Sequence, residues 1–434
     1  MLINYSFSNF RSFKEKTTMS MIAGRQRIYN ENLIREKGLR ILPTTVIYGA
    51  NASGKSNIIM SLALMREMIL SGSLDKSDEY LSRLELFPFI HSESTEPIEF
   101  EIEFIHNECH VCYRLGISVG RIKKTKRRIA FEELTLINRS NKSVPLFRRD
   151  ENKIEIMKDK KALDIIDFKE GLLVGFESQI NKNLDDAVLF LSGAFKSTIS
   201  SKIADAIIDF FRDKLIVISD FTLKQANLVF ATDDRPKKDF FAWNNILDGF
   251  VKNSDFGPQS ILFRSKKSDD GRPAEIQSDD TTEMQLVSIY EYGDQSFMLP
   301  AEVMESRGTL KLLDFAIPFA DVFNSGGVFV LDEFDASIHP EIIKGILALF
   351  NNADINKNKA QLIFTTHNPI YLSSSIFRRD QIRFIEKNDE TYESIIYSLD
   401  DLEKVRNDHN YLINYFKGNY GALPYQDFSK LLEK

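Results

Sequence analysis

Apolar and polar residues alternate along much of the first third of the chain. LINYSFSNFRSF, TTMSMIA and PIEFEIEFIHNECHVCYRLGISVG have the period of two that is typical of strands with one buried face. The longest stretch is interrupted at Asn107 and Glu108, which predicts a turn between two antiparallel strands. RIAFEELTLIN predicts a third strand, so this region is expected to form a small antiparallel meander.

Solid apolar runs and helical spacing replace this alternation elsewhere. From about Ser306 the pattern reads helix, strand, helix, strand, as a parallel sheet requires. The middle segment contains the amphipathic pieces DDAVLFLSGAF and KIADAIIDFFRDKL and ends in the polar stretch KKSDDGRPAEIQSDDTTE. We therefore predict an α/β protein with an N-terminal lobe at 1–147, a mainly helical insertion at 148–282 and a C-terminal lobe at 283–434.

Composition and charge narrow the class of protein. The chain has 434 residues, of which 43% are hydrophobic and 27% charged, as in ordinary globular proteins. A net charge of −7 gives no long-range attraction for nucleic acid. The first residues do not form a secretory leader, and apolar runs of membrane-spanning length are lacking. We expect a cytoplasmic protein without a membrane partner, in which Cys109 and Cys112 stay reduced.

The segment GANASGKSN is the strongest chemical motif. Gly49, Gly54, Lys55 and Ser56 fill the pattern G-x-x-x-x-G-K-[ST], between an apolar strand and a helix as the motif requires. Its glycines let backbone N–H groups approach phosphates, and the helix start adds a positive dipole end. We predict that Lys55 neutralises the phosphates and that Ser56 binds Mg²⁺. Asn51 and Ser53 within the loop and Asn57 directly after it complete the predicted nucleotide-binding residues.

An acidic strand end supplies the second half of this predicted site. VFVLDEFDASIHP places Asp332 to hold Mg²⁺ through water and Glu333 to orient or deprotonate an attacking water. QLIFTTHNP is a further apolar strand, and it ends near His367, whose imidazole is expected to reach the γ-phosphate.

With these motifs, the chain resembles the ATP-binding-cassette ATPases of the SMC, RecF and OLD group. The similarity is greatest to the prokaryotic AAA15/AAA21 ATPases of phage-defence, or abortive-infection, systems. It covers about residues 1–140 and 290–434, through NFRSF, GANASGKSN, ESRGTLKLL, LDEFDASIHP and TTHNP. The resemblance implies an ABC-ATPase head with a mixed β-sheet and an antiparallel β lobe, and it implies ATP and Mg²⁺ as cofactors.

The resemblance also assigns a signature motif, S-x-G-T, to Ser306, Gly308 and Thr309. In such ATPases this motif caps the nucleotide held by a second subunit, which implies an ATP-dependent head-to-tail homodimer that can assemble further. Asp335 would lie at the same interface. Arg11, after the first strand, would contact nucleotide as basic residues there do in relatives.

Three departures from the patterns of related proteins are informative. No glutamine occupies the region of the expected glutamine loop, where the chain reads LFPFIHS, so that role has no predicted residue. The insertion lacks a sustained heptad pattern, which excludes long SMC-type arms. The segment after His367 is too short for the Toprim nuclease domain of OLD proteins.

Two other clusters have plain interpretations. His106, Cys109, His110 and Cys112 are dense enough for zinc, but alternation along a strand sends neighbouring side chains to opposite faces, so a simple hairpin is favoured. The basic run Arg121–Arg128 offers a surface for nucleic acid or an acidic partner. A solvated hairpin tip is the favoured interpretation of it.

These observations lead to one functional hypothesis and two rivals. The hypothesis is a dimeric ATP-hydrolysing switch that senses or regulates phage defence and controls a separate effector, with a nuclease as the first candidate. A RecF-like DNA-binding ATPase of DNA repair is the alternative. A transporter ATPase would require a membrane partner and a glutamine loop that the chain does not show.

Overall fold

The computed structural model describes most of the chain. The described residues are 1–74, 86–92, 96–119, 127–138, 140–166, 170–219, 241–243, 249, 251–252, 257–265, 284–293 and 295–424. The acidic stretch Asp269–Asp280 and most of the basic run Arg121–Arg128 lie outside these ranges.

Strands and helices are numbered in chain order. The strands are β1 Leu2–Ser8, β2 Thr17–Ser20, β3 Ile34–Glu36, β4 Leu39–Ile41, β5 Thr44–Gly49, β6 Ile98–His106, β7 Cys109–Ser118, β8 Arg128–Ile137, β9 Ser143–Asp150, β10 Lys153–Ile156, β11 Leu215–Ile218, β12 Phe241–Trp243, β13 Ser260–Ser265, β14 Met284–Tyr292, β15 Gln295–Pro300, β16 Val328–Leu331, β17 Gln361–Thr366, β18 Ile382–Lys387 and β19 Ser394–Ser398. The α-helices are α1 Lys55–Ser71, α2 Lys160–Ile166, α3 Glu170–Lys182, α4 Ser201–Asp209, α5 Ala301–Met304, α6 Arg307–Ser325, α7 Pro340–Phe350 and α8 Tyr411–Phe416. Two π-helical segments span Leu191–Ile199 and Phe210–Lys214.

The alternating segments form one antiparallel sheet with the order β10-β9-β8-β7-β6-β1-β2. The predicted hairpin is present: β6 pairs with β7, and Asn107 and Glu108 adopt the left-handed conformation at its turn, with φ of 45° and 64°. The predicted third strand, β8, pairs with β7, and β9 and β10 extend the same sheet.

The apolar runs form the second sheet, with the order β11-β16-β17-β5-β18-β19. All neighbours are parallel except β18 and β19. Each of β5, β16 and β17 is buried along its whole length. Alternate residues of these strands pack into two different cores, Ile47 and Val330 into one and Val46 and Leu331 into the other. Burial on both faces explains why these strands show no polar alternation.

The middle region is more closely joined to the core than the sequence indicates. The predicted limit between 147 and 148 falls inside β9, which continues to Asp150. β11 belongs to the parallel sheet, where it pairs with β16. Glu132 and Arg149, both fully buried, also bind the segment before Leu191: Glu132 accepts from Phe190 N at 2.7 Å, and Arg149 donates to Val188 O at 2.7 Å. The short strand β11 gives too little pattern to reveal this membership.

Within the described ranges, the helices lack the combination of length and apolarity that crossing a membrane requires.

Candidate functional site

Three neighbouring strands bring the predicted site together. β16, β17 and β5 lie side by side and run parallel, so their carboxyl ends meet at one edge of the sheet. Gly49 ends β5, Asp332 follows β16 and His367 follows β17. Motifs that are far apart in the sequence are therefore adjacent in the fold.

The phosphate-binding loop needs its glycines for steric reasons. Gly54 has φ of 114°, and a Cβ there would lie 2.9 Å from both Ser12 Oγ and Ser394 Oγ. A Cβ on Gly49 would lie 2.6 Å from Ser53 Oγ. Ser53 is buried, and its carbonyl accepts a hydrogen bond from Ser394 Oγ at 2.6 Å. The loop is thus held in shape before any ligand contributes.

Lys55 points back into this loop. The residue is only 5% exposed, and Lys55 Nζ donates to the carbonyl oxygens of Gly49 at 2.8 Å and Ala50 at 2.9 Å. Burial lowers the pKa of the Lys55 ammonium to about 8, against the opposing charges of Asp332 and Glu333. A phosphate group next to this ammonium would compensate its desolvation, so the residue suits an anionic ligand.

The acidic strand end has a defined geometry. Thr365 Oγ1 donates to Asp332 Oδ1 at 2.5 Å and accepts from Glu333 N at 2.8 Å. Glu333 has φ of 46°, a left-handed backbone conformation that residues other than glycine rarely adopt. One hydroxyl therefore fixes both carboxylate residues relative to β17.

His367 lies between the lysine and the glutamate. Its Nδ1 is 3.4 Å from Lys55 Nζ, and its Nε2 is 3.4 Å from Glu333 Oε1. Because an ammonium only donates, Nδ1 acts as the acceptor and the ring proton is assigned to Nε2, facing the carboxylate. The side chains of His367 and Glu333 are 40% and 42% exposed, so solvent reaches them from the open side.

The rim of the loop contains the other residues expected to bind nucleotide. Ser56 and Asn51 are exposed. In the first turn of α1, Asn57 N donates to Gly54 O at 3.0 Å, and the N–H groups of Lys55 and Ser56 have no acceptor within the helix by its geometry. Asn57 Nδ2 donates to Ser12 Oγ at 2.9 Å, and Arg11 Nη1 lies 3.5 Å from Asn57 Oδ1. Arg11 is thereby next to the first turn of α1, and its contact with nucleotide stays a prediction.

The signature residues form the start of α6. Ser306 is its N-cap, and Ser306 Oγ accepts from Thr309 N at 3.2 Å. Ser306 is exposed, whereas Thr309 is buried. A Cβ on Gly308 would lie 2.1 Å from Ser337 O, so this glycine is needed for packing within its own chain.

Asp335 lies in the loop between β16 and α7. It is half-buried and hydrogen-bonds to Thr366, whose hydroxyl also accepts from Asn368 N at 2.9 Å. Burial raises the pKa of the Asp335 carboxyl, while the Thr366 hydrogen bond and the charges of Lys311 and His367 oppose this rise. Its predicted contact across a dimer stays a prediction.

The zinc alternative is not supported by the described geometry, and most of the basic run lies outside the described residues. His110 Nε2 pairs with Glu103 Oε1 at 2.7 Å, and burial raises the pKa of the Cys112 thiol to about 12. Within the described parts of the chain, His, Cys, Asp and Glu side chains form no group suited to a metal ion. At the end of the basic run, Arg128 pairs with Asp186 at 3.2 Å.

Several residues of the site were not singled out from the sequence. Thr365 stands within TTHNP, but only the three-dimensional pairing of β16 with β17 shows that it binds both acidic residues. Ser12 and Ser394 reach the loop from distant segments, and no local pattern marks them. Lys311 Nζ donates to Glu333 O at 2.7 Å. Its position two residues after Thr309 was the available signal.

The fold and this arrangement define a P-loop ATPase of the AAA type. Residues 44–373 match the family described as "AAA domain, putative AbiEii toxin, Type IV TA system", and the chain belongs to this family. The match confirms the resemblance to AAA-type ATPases that the motifs predict.

Comparison with curated proteins gave no match. Among solved structures, the chain is similar to the structure titled "Crystal structure of the SmcHead bound to the C-winged helix domain of ScpA", with 16% identity over 92% of this chain and 97% of that chain and a TM-score of 0.38. It is also similar to the "SMC head domain from Thermotoga maritima", with 15% identity over 92% of this chain and 98% of that chain and a TM-score of 0.36. The family assignment rests on the sequence match alone.

Proposed function

We propose that this protein is an ATP-hydrolysing molecular switch whose catalytic groups come from one chain and whose signature residues act on a second chain. The row Lys55, His367 and Glu333, with its two 3.4 Å separations, carries the proposal. It places a phosphate-binding cation, an imidazole and a carboxylate next to one another at the edge where parallel sheets bind ligands.

Each residue has a distinct role in this proposal. Lys55 and the N–H groups at the start of α1 bind the phosphates. Ser56 and Asp332 would hold Mg²⁺, which supplies charge neutralisation at the phosphates. Glu333 orients and deprotonates the attacking water, and His367 contacts the γ-phosphate from its place beside Lys55.

The two-subunit part of the proposal is supported by the capping and the exposure of the signature residues. The start of α6 is capped and packed, so its donors are fixed in place, while Ser306 faces outward. A helix start with this exposure suits an anion brought by another molecule. ATP binding would then drive association and hydrolysis would release it.

The cellular part of the proposal is a sensor or regulator of an anti-phage system with a separate effector. Its support is the acidic stretch at Asp269–Asp280, whose charge suits a basic partner. The family description names a putative AbiEii toxin of a Type IV TA system, which supports a toxin-related role but not the separate effector. Co-expression with the product of a neighbouring gene, followed by pull-down, tests it. Changing Asp269, Asp270, Asp279 and Asp280 to Asn should abolish co-purification and leave ATP binding intact. Phage protection by the isolated protein would contradict the separate effector.

A deletion of the whole middle region would not be a clean version of this test. Such a deletion removes the end of β9 and all of β11, which are strands of the two main sheets. The four Asp→Asn changes alter no residue of the strands described above.

The first experiment is a hydrolysis assay on purified protein. We expect Mg²⁺-dependent release of phosphate from ATP by the wild type and by the surface control Glu341→Gln, but not by Glu333→Gln. Adding duplex DNA separates the repair alternative, because a DNA-binding clamp would be stimulated by DNA and the proposed switch would not.

A further inference from the structure

Lys311 joins the signature helix to the catalytic loop of its own chain. It lies on α6, two residues after Thr309, and its Nζ donates to the carbonyl oxygen of Glu333 at 2.7 Å. The Lys311 ammonium is also 5.8 Å from the centre of the Phe315 ring, which lies one turn further along the same helix. The side chain is half-buried, and these two contacts define its direction.

The backbone of Glu333 requires such support. A left-handed conformation is strained at a residue other than glycine, so it persists only where neighbouring groups enforce it. Here the Glu333 N–H donates to Thr365 Oγ1 at 2.8 Å, and the Glu333 carbonyl accepts from Lys311 Nζ at 2.7 Å and from Ala336 N at 3.1 Å. Thr365 belongs to the sheet and Ala336 to the loop itself, whereas Lys311 is the restraint that comes from the signature helix.

A second contact makes α6 and this loop one mechanical unit. Gly308 packs so closely on Ser337 that a Cβ would lie 2.1 Å from Ser337 O. The start of α6 therefore contacts the loop at both of its ends, near Glu333 and at Ser337. A displacement of Ser306–Thr309 would be transmitted to the backbone of Glu333 through these two contacts.

We propose that Lys311 is a positioning residue that holds Glu333 in its catalytic orientation and couples this orientation to engagement of Ser306–Thr309 by a second nucleotide. This inference rests on the proposed ATPase function. It links the two sites of the dimer: the signature of a chain contacts its partner's nucleotide, and Lys311 on the same helix sets that chain's own glutamate.

Steady-state kinetics of Lys311→Met tests the positioning role. We expect kcat to fall on the order of 10²-fold, as for a small misplacement of a catalytic group, while ATP affinity changes less than about twofold. Lys311→Arg, which keeps a cationic donor, should recover most of the activity. Lys344→Met is the matched control, because Lys344 pairs only with Glu341 on the surface in the described contacts. Weakened ATP binding with an unchanged kcat would overturn the proposal.

The combination with Glu333→Gln shows whether Lys311 acts through the glutamate. If it does, Lys311→Met should cause no further loss of hydrolysis in the Glu333→Gln background. Losses that multiply would mean that Lys311 acts elsewhere.

Amide hydrogen exchange gives a readout that does not depend on hydrolysis. In Lys311→Met, a peptide covering 331–337 should exchange faster than in the wild type and in Lys344→Met. Unchanged exchange would overturn the positioning role even if the protein hydrolyses ATP. If exchange is faster in Lys311→Met but the wild type itself does not hydrolyse ATP, the positioning role stands and the proposed function is contradicted.

Discussion

In the described part of the chain, the starts of helices α1 and α6 both suit a phosphate, but their surroundings differ. At α1, Lys55 is 5% exposed and lies beside Asp332, Glu333 and His367. At α6, Ser306 is exposed and follows a short helix on which Val303 is 78% and Met304 46% exposed. In the proposed mechanism, the first site takes its catalytic groups from one chain. The second has its donors on an open surface, which is why we propose that a second molecule completes it.

Glu333→Gln should have the largest effect, because it removes the base from the α1 site without changing its shape. Hydrolysis should fall about 10²–10⁴-fold while ATP binding persists. Phosphate release and equilibrium nucleotide binding measure the two quantities, with Glu341→Gln on the exposed start of α7 as control. Turnover at the wild-type rate would show that Glu333 is not the catalytic base.

Lys55→Ala tests whether the α1 site binds nucleotide through its buried cation. Loss of a charged hydrogen-bond donor to phosphate should weaken ATP binding roughly 10- to 100-fold. Fluorescent-nucleotide titration gives the affinity, and Lys359→Ala, which loses only a surface pair with Glu36, is the control. Equal affinities for the two variants would contradict the assignment.

Ser306→Asp separates a binding role of the α6 site from a capping role. Aspartate is a good N-cap, so thermal stability should be kept, but its charge should repel a partner's phosphate. We expect at least about tenfold slower hydrolysis for Ser306→Asp than for Ser306→Asn, which caps without charge. If both variants behave like the wild type, Ser306 is only a cap.

The pH dependence of ATP affinity sharpens the account of Lys55 by a smaller effect. Its pKa is lowered to about 8 by burial, and a bound phosphate would raise it again. Binding above pH 8 should therefore take up a proton, and affinity should fall by at most about tenfold per pH unit. Calorimetry at pH 9 in two buffers of different ionisation enthalpy measures the uptake. Lys55→Arg, which stays protonated, should show none.

The sequence was informative where a local pattern has a structural cause. GANASGKSN predicts the loop because glycine alone fits at Gly54, and the apolar runs predict the parallel strands because both faces are buried. Local patterns did not reveal contacts between distant segments. Thr365 on Asp332, Ser394 on the loop and β11 in the parallel sheet all depend on pairing that only the folded chain establishes.

The contact between Gly308 and Ser337 also determines which substitution can test the signature. From the sequence, Gly308→Glu is an obvious way to block a partner's nucleotide. In the fold, any side chain at 308 collides with Ser337 O of the same chain, so that variant would disturb its own loop. Ser306→Asp avoids this collision.

Mixing Lys55→Ala subunits with Ser306→Asp subunits tests the central claim most directly, since each variant alone should hydrolyse ATP more slowly than the wild type for a different reason. In a mixed head-to-tail dimer, the intact loop of the Ser306→Asp chain meets the intact signature of the Lys55→Ala chain. We predict that hydrolysis recovers towards one working site per mixed dimer. Mixed dimers that form, as shown by mass photometry with differently sized tags, but recover no hydrolysis would contradict the two-chain site.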